Sequence, residues 1–437
     1  MKIKIIEKSY DEVMALPEQK HIKPQKTNMF FRTLMKTVAF PGLADVDFEC
    51  TKKNMDKLGK DEPCLYLMNH SSFIDLEIAA SVLYPRAFNI VATTDGFVGK
   101  NWLMRSIGCI PTKKFVLDMN LIRDIRHSLK CNKSSVLMFP EAGYSFDGTS
   151  TVLPDSLGKF VKMLGVPVVM IRTYGAFTRQ PLYNDLHKRD VKVTAQMSYV
   201  LSAEDTVNLS SSEINAIIDR CFDFDNFRWQ QENKIKVDSK DRADKLNRVL
   251  YKCPACMAEG HTVGRGTLLV CKKCGKKYEL DEYGFMRALN GETEFDHIPD
   301  WYAWQRECVK KELTDGTYKL DIPVDICMAV DTKHIYHVGE GRLIHDNDGI
   351  LLKGCGGKLE YRHAPLASYS ICSDFNWYEI GDVISFGNTK ALYYCFPKCK
   401  GDVVAKARLA AEELYKLVYA EKRAKSAEKN RKNDMNK

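Results

Sequence analysis

The sequence lacks any long hydrophobic run. None of its 437 residues fall in a stretch that approaches the roughly 18 consecutive apolar residues a membrane-spanning helix needs. The longest apolar runs, such as 166–171, have the length of a core strand. The opening residues, Met1 to Lys4, lead into mixed polar sequence without the apolar core of a secretion signal. We therefore expect a chain that folds in the cytoplasm.

A disulfide framework is also missing, although cysteine is not scarce. The chain has 15 cysteines, an odd number, and only four of them form a recognisable pattern. Because cytosolic thiols stay reduced, a metal site fits these four better than disulfides do. The formal net charge of +8 suits an anionic membrane surface or an anionic substrate without requiring either.

The length exceeds what one hydrophobic core supports, so several domains are expected. We predict five segments: an N-terminal segment with an amphipathic helix (1–60), an α/β domain (61–230), a linker with paired cysteines (231–300), a β-rich domain with a C-terminal helix (301–420) and a basic disordered tail (421–437).

The first segment contains one pronounced helical pattern. Asn28 is suited to cap its start, and Pro41-Gly42 are expected to stop it. Such a helix can lie in a lipid interface or pack against its own domain, and both readings stay open. The apolar positions are Phe30, Phe31, Leu34, Met35 and Val38, with Arg32 and Lys36 on the other side.

Short apolar runs alternate with helical patterns between 61 and 230. This alternation predicts an α/β layer fold with a mainly parallel sheet, in which reacting groups lie on loops at the strand ends. The predicted strands are 64–68, 88–92, 135–139, 166–171 and 191–200, and the predicted helices are 74–84, 118–131, 155–164 and 211–221.

His70 and Asp75 stand five residues apart, directly after the first of these strands. The spacing fits a histidine on the strand-end loop and a carboxylate in the first turn of the next helix. Asp75 can then accept one ring N–H and leave the other nitrogen of His70 free as a base. Such a pair can deprotonate an alcohol as it attacks a thioester. Considered alone, the two residues are better explained as structural caps.

The wider context resembles a known family. Asn69-His70-x-Ser72-x-x-Asp75 is similar to the first sequence block of the glycerophospholipid acyltransferases, the family that contains lysophosphatidic acid acyltransferase. Three further blocks follow in the family's order across about 60–200. They are Gly108 to Lys114, Phe139 to Ser145 and Val166 to Val169.

The resemblance implies an enzyme of phospholipid biosynthesis that lies peripherally on the inner face of a membrane. It implies acyl-CoA or acyl-carrier protein as donor and a lysophosphatidic acid-like lysophospholipid as acceptor. His70 would be the general base, and Asp75 would orient it. The substrate-binding candidates that it implies are Ser72, Lys113, Lys114, Glu141, Gly143 and Arg172.

The third block departs from the family pattern Phe-Pro-Glu-Gly-Thr-Arg. Ala142 replaces the first Gly, and Tyr144 stands where the Arg is expected. Neither Tyr nor the Lys114 of the second block reproduces the planar, bidentate grip of Arg on phosphate. We therefore expect the acceptor to be an acylglycerol phosphate, another lysolipid or a hydroxyl lipid. A non-catalytic lipid- or acyl-carrier-binding protein is the alternative, and retention of both His70 and Asp75 argues against it.

Two Cys-x-x-Cys pairs predict a structural zinc site. Cys253 and Cys256 are separated by fourteen residues from Cys271 and Cys274, a pattern that resembles a zinc ribbon with a closed Zn²⁺ site. No aromatic stacking platform accompanies the nearby lysines, so we expect no nucleic acid partner.

The C-terminal part changes to a β-rich pattern. About seven strands between 317 and 400 are followed by a helix from Asp402 to about Ala420. This arrangement resembles a pleckstrin-homology-like domain. The Lys-, Asn- and Glu-rich residues beyond are predicted to be disordered.

Overall fold

A computed structural model describes the main chain of residues 3–435. These residues form three β-sheets with helices around them. The chain begins with strand β1 (Ile5–Glu7), helix α1 (Tyr10–Met14) and helix α2 (Met29–Ala44).

The first sheet has seven strands in the order β2-β8-β7-β3-β6-β4-β5. Neighbouring strands are parallel except for the antiparallel pair β7–β8. The predicted α/β layer with a mainly parallel sheet is therefore confirmed. The strands are β2 (Glu49–Lys53), β3 (Leu65–Met68), β4 (Phe88–Thr93), β5 (Cys109–Thr112), β6 (Ser135–Met138), β7 (Val168–Tyr174) and β8 (Thr194–Leu201).

Helices cover both faces of this sheet, because its central strand is apolar on both sides. Tyr66 and Met68 of β3 face a core shared with α2 and α3, whereas Leu65 and Leu67 face α5, α6 and α9. The helices are α3 (Ile74–Val82), α4 (Asn101–Ser106), α5 (Met119–Lys130), α6 (Leu157–Leu164), α7 (Ala176–Arg179), α8 (Ala203–Asn208), α9 (Ser211–Phe222) and α10 (Asn226–Glu232).

A small antiparallel sheet follows in the order β12-β11-β10-β9, and α11 (Ile298–Thr314) comes after it. Its strands are β9 (Thr262–Arg265), β10 (Leu268–Cys271), β11 (Lys277–Leu280) and β12 (Met286–Ala288).

The last sheet runs in the antiparallel order β16-β15-β14-β13-β19-β18-β17 and is followed by α12 (Val404–Met435). The predicted β-rich domain with a C-terminal helix is thus confirmed. In addition, β1 pairs in parallel with β14, with Ile5 opposite Ile335. The strands are β13 (Leu320–Ala329), β14 (Ile335–Asp346), β15 (Gly349–Gly354), β16 (Leu359–His363), β17 (Cys372–Trp377), β18 (Gly381–Gly387) and β19 (Leu392–Pro397).

Several boundaries differ from the predictions. Strand β2 belongs to the first sheet, so the α/β domain begins before residue 61. Helix α2 passes through Pro41 to Ala44, because burial of Ala39 and Leu43 offsets the backbone bond that proline removes. Helix α11 was not predicted.

The predicted disordered tail is helical as far as the structure describes it. Helix α12 extends through 421–435, and residues 436–437 lie outside the described residues. Ala, Glu, Lys and Arg are strong helix formers, so they prolong a helix that packing has already nucleated.

Within residues 3–435, no helix combines the length and the hydrophobicity that crossing a membrane requires.

Candidate active site

His70 and Asp75 meet at the carboxyl end of β3. His70 lies in the loop after the strand, and Asp75 lies in the first turn of α3. The His70 Nδ1 atom is 3.1 Å from Oδ2 of Asp75. If Nδ1 carries the proton and donates it to this carboxylate, Nε2 is left with a free lone pair.

The carboxylate of Asp75 is fixed by the main chain. The backbone N–H groups of Ser71 and Ser72 donate to Oδ2 at 2.7 and 3.0 Å. Asp75 and Ser72 are both fully buried. Ser72 therefore contacts Asp75 through its backbone, and its contact with substrate stays a prediction.

The pKa of His70 is lowered from its ordinary value. Burial is the main cause, and the positive charge of Lys114 adds to it, although the hydrogen bond to Asp75 acts in the opposite direction. A lowered pKa keeps the imidazole neutral at neutral pH, which is the form that accepts a proton.

Two aromatic rings hold the imidazole. The ring of Phe139 stacks on His70 with centroids 4.2 Å apart, and the ring of Tyr144 lies at 4.2 Å with an interplanar angle of 38°. Tyr144 is the residue that stands at the family's Arg position. It therefore contacts the candidate base directly.

Glu141 braces the loop that carries these rings. Its Oε2 accepts the backbone N–H of His70 at 2.9 Å, and its Oε1 accepts that of Thr151 at 2.7 Å. Burial raises the pKa of Glu141 to about 7, while the two N–H donors act against this rise. Glu141 was predicted to bind the acceptor, but both carboxylate oxygens contact the backbone instead.

Ala142 and Gly143 complete this loop. Ala142 has φ of +54°, in the left-handed region that glycine adopts most easily, which is why a Gly suits this position in the family pattern. At Gly143 no atom lies within 4 Å of where a Cβ would be, so this glycine borders open space.

The two lysines of the second block point towards the C-terminal domain. Lys113 Nζ donates to the backbone carbonyl of Thr389. Burial disfavours the charged form of Lys114. The pKa of Lys114 is nevertheless raised, because Cys372 and Asp374 of β17 lie nearby. Lys114 is thus a protonated side chain close to His70.

Arg172 contacts the backbone at the end of α9. Its Nε donates to the carbonyl of Cys221 at 3.0 Å, and its Nη2 donates to that of Arg220 at 3.2 Å. These carbonyls lie at the C-terminal end of α9, which Arg172 therefore caps. Its contact with substrate stays a prediction.

The C-terminal domain supplies neighbours that sequence reasoning missed. Trp377 Nε1 of β17 donates to Oδ2 of Asp95 at 3.2 Å, and Arg408 of α12 reaches the backbone of Tyr144. No local sequence signal marks these residues, because their partners lie more than 200 positions away.

The four paired cysteines converge. Their sulfur atoms all lie within 4.8 Å of one another, close enough to bind one metal ion. The Sγ atoms of Cys253 and Cys274 are 3.8 Å apart, and those of Cys256 and Cys271 are 3.7 Å apart. A tetrahedral Zn²⁺ with bonds of about 2.3 Å needs edges of about 3.8 Å, so the donor set fits zinc.

Part of the first domain is similar to known proteins. Residues 49–173 match the family model named Acyltransferase. The match covers β2 to β7 and includes His70, Asp75 and Glu141. The chain therefore contains a segment that matches the Acyltransferase family model.

Two individual proteins are similar to this chain. One is a chloroplast 1-acyl-sn-glycerol-3-phosphate acyltransferase of Brassica napus, 29% identical over 146 residues. The alignment covers 30% of this chain and 40% of that relative, so the chain spans less than half of its length. The other is the crystal structure of the 1-acyl-sn-glycerophosphate acyltransferase PlsC from Thermotoga maritima. The similarity to that structure has 16% identity and a TM-score of 0.36, and it covers 43% of this chain and 77% of that one.

Proposed function

We propose that the protein is an O-acyltransferase of phospholipid biosynthesis. It moves a fatty acyl group from acyl-CoA or acyl-carrier protein to the hydroxyl of a lysophosphatidic acid-like acceptor. The observation that carries the proposal is the contact between His70 Nδ1 and Asp75 Oδ2 inside the matched acyltransferase domain.

In the proposed reaction, Nε2 of His70 takes the proton of the acceptor hydroxyl. The hydroxyl oxygen attacks the thioester carbonyl carbon, and the carbon–sulfur bond breaks. The departing thiolate receives the proton back from His70. Asp75 stabilises the imidazolium that exists between the two transfers, and no covalent enzyme intermediate is needed.

Lys114 is the candidate for binding an anionic acceptor group. Support comes from its protonated state and from its electrostatic effect on His70. Glu141 and Gly143 belong to the loop beside this place, where Glu141 acts on His70 through the backbone. The chloroplast relative is only 29% identical, so the choice of lysophosphatidic acid as acceptor is itself a proposal.

We further propose roles for the other parts of the chain. The four cysteines hold a structural Zn²⁺ in a zinc ribbon, and the C-terminal sheet with α12 is a pleckstrin-homology-like domain. The protein works in the cytoplasm, peripherally on the inner face of the membrane, with α2 in contact with lipid.

The test is thiol release from acyl-CoA and from acyl-carrier protein with a panel of lysolipid acceptors. We expect release that depends on acceptor in the native protein and falls by at least about 100-fold in His70→Ala, as removal of a general base predicts. The matched control is His187→Ala, since His187 also contacts an aspartate, Asp241, but at an exposed position.

If the native protein binds lysolipid and donor but releases no thiol, the proposed reaction is wrong. The protein would then be the non-catalytic lipid- or acyl-carrier-binding alternative.

A further inference from the structure

The loop 139–146, which we call the clamp loop, has two differently bound sides. One side contacts the catalytic residues: Glu141 accepts the backbone N–H of His70, and the backbone N–H of Ser145 donates to the carbonyl of His70 at 3.2 Å. Two of its rings, those of Phe139 and Tyr144, enclose the imidazole. Any shift of this loop therefore moves the surroundings of the candidate base.

The other side of the clamp loop is bound by the C-terminal domain. The hydroxyl of Tyr369 donates to the carbonyl of Pro140 at 3.3 Å. The ring of Phe375 in β17 stacks on Phe146 with centroids 4.5 Å apart. These contacts reach the loop near its beginning and at its end.

Arg408 of α12 binds the middle of the same loop. Its Nη1 donates to the carbonyl of Tyr144 at 3.3 Å, and its guanidinium lies 4.7 Å from the ring centroid of Phe146. The residue is only 5% exposed. A buried guanidinium of this kind is held in place by its partners, because any displacement would leave its charge uncompensated.

Those partners form a network within the C-terminal half. Arg408 Nε donates to Oε1 of Glu412 at 3.1 Å, and Ser370 Oγ donates to the same oxygen at 2.9 Å. The other oxygen of Glu412 pairs with Arg306 of α11 at 2.8 Å. The contact of Arg408 with the clamp loop is therefore supported by α12, by α11 and by the loop that contains Ser370.

We propose that the C-terminal domain is part of the catalytic site, with Arg408 as a positioning residue that fixes the clamp loop around His70. Arg408 touches no reacting atom and acts through the carbonyl of Tyr144. The family match ends at residue 173, so nothing in it assigns a role to this domain. The catalytic consequence rests on the proposed acyltransferase function, whereas the positioning of His70 does not.

Arg408 also affects the charge balance of the clamp loop. Its positive charge acts to lower the pKa of Glu141, against the burial that raises it. The other groups that act on Glu141 are the backbone N–H groups of Thr151 and His70 and the carboxylate of Asp75. Loss of Arg408 therefore favours a neutral Glu141 and weakens its hold on the His70 backbone.

The test is NMR of the full chain with ¹³C-labelled histidine, with the His70 signal assigned by its loss in His70→Gln. Because the His70 ring lies between two aromatic rings, their ring currents should displace its chemical shift. We expect this displacement to shrink in Arg408→Met, to shrink less in Arg408→Lys, and to change in Tyr369→Phe.

The matched control is Lys406→Met. Lys406 lies two residues from Arg408 on α12 and also makes ion pairs, partly buried ones with Glu259 at 2.7 Å and Glu312 at 2.8 Å, but it does not contact the clamp loop. We expect this variant to leave the His70 signal unchanged.

In parallel, kcat at saturating acceptor should fall about tenfold or more in Arg408→Met and recover partly in Arg408→Lys, because small displacements of a catalytic group are costly. If Arg408→Met does not fold, Arg408→Lys and Tyr369→Phe decide the question. An unchanged His70 signal in folded variants that lack these contacts would overturn the inference. A native protein that transfers no acyl group would instead refute the proposed function, and the NMR comparison would still decide the positioning.

Discussion

Among individual residues, Glu141 has a carboxyl pKa that its surroundings shift far enough to be tested by experiment. Its carboxyl is buried, its pKa is raised from 4.5 to about 7, and both its oxygens accept backbone N–H groups. Between these two pH values the folded state holds a proton that the unfolded state has lost. The native protein therefore loses stability through this group as pH rises from about 5 to 7.

We predict that Glu141→Gln removes this dependence. The variant should be less stable than the native protein at low pH, because an amide cannot accept both N–H donors. The difference between their free energies of unfolding should narrow by about 2.5 kcal/mol from pH 5 to pH 8, since one pKa unit corresponds to about 1.4 kcal/mol. Urea unfolding of both proteins across this range measures it. A gap that stays constant would show that Glu141 titrates normally.

The residues predicted from sequence fall into two groups. His70 with Asp75, and the four cysteines, come together because their partners are close in the chain and local geometry settles their contacts. Arg172 and Lys113 are different, because a long side chain can reach several hydrogen-bond partners and the local backbone does not determine which partner it contacts. Their partners, the carbonyls of 220–221 and 389, could only be identified in three dimensions.

Among structural elements, the small sheet β9–β12 is the one beside the candidate metal site. Cys271 and Cys274, with Cys253 and Cys256 before the sheet, fit a tetrahedral metal ion, and structural zinc supplies on the order of 10 kcal/mol in small zinc domains. We predict one Zn²⁺ per chain and a lower thermal midpoint after a strong chelator or in Cys256→Ser.

Cys131→Ser is the control for the zinc prediction, because Cys131 is exposed and lies outside the cluster. Metal content measured by elemental analysis, together with thermal unfolding, checks both statements. A purified protein without metal that keeps its thermal midpoint in Cys256→Ser would contradict them.

Helix α2 is the element best suited to touch lipid. Phe30 and Val38 are 69% and 70% exposed on it, and Trp102 of the neighbouring α4 is 73% exposed. We predict that the double variant Phe30→Ser, Val38→Ser binds vesicles containing anionic lipid at least about tenfold more weakly, because two apolar side chains no longer enter the interface.

Co-sedimentation with such vesicles measures this binding. Leu289→Ser, an exposed apolar residue in the small-sheet region, is the matched control and should bind as the native protein does. Equal binding by the α2 variant would show that this helix does not contact lipid.

Elements with a clear internal pattern were predictable, and those defined by their neighbours were not. The strands at 64–68, 88–92 and 135–139 are apolar enough to be predicted from the sequence alone. In contrast, β2 is a polar edge strand whose residues are mostly exposed, and β1 has only three residues. Such strands exist because a partner strand offers hydrogen bonds, which the sequence does not record.

At the scale of the whole molecule, the predicted parts are joined by one of the buried clusters. A single cluster of buried side chains joins Phe146 and Phe177 of the α/β domain, Leu269 of the small sheet and Phe375 of the last sheet. Composition and length indicated several domains, but they do not reveal whether such domains touch. The contact between the clamp loop and Arg408 is part of this shared interior.

The pairing of β1 with β14 has a consequence for the time course of synthesis. Glu7 and His337, whose side chains form a hydrogen bond there, are 330 positions apart. At about 5–20 residues per second, a ribosome needs roughly 15 to 65 seconds between making the first strand and its partner. During that interval the α/β domain between them can already be complete, while β1 still lacks its partner strand. The last sheet thus closes only after the middle of the protein has been made, and the earliest strand is among the last to be placed.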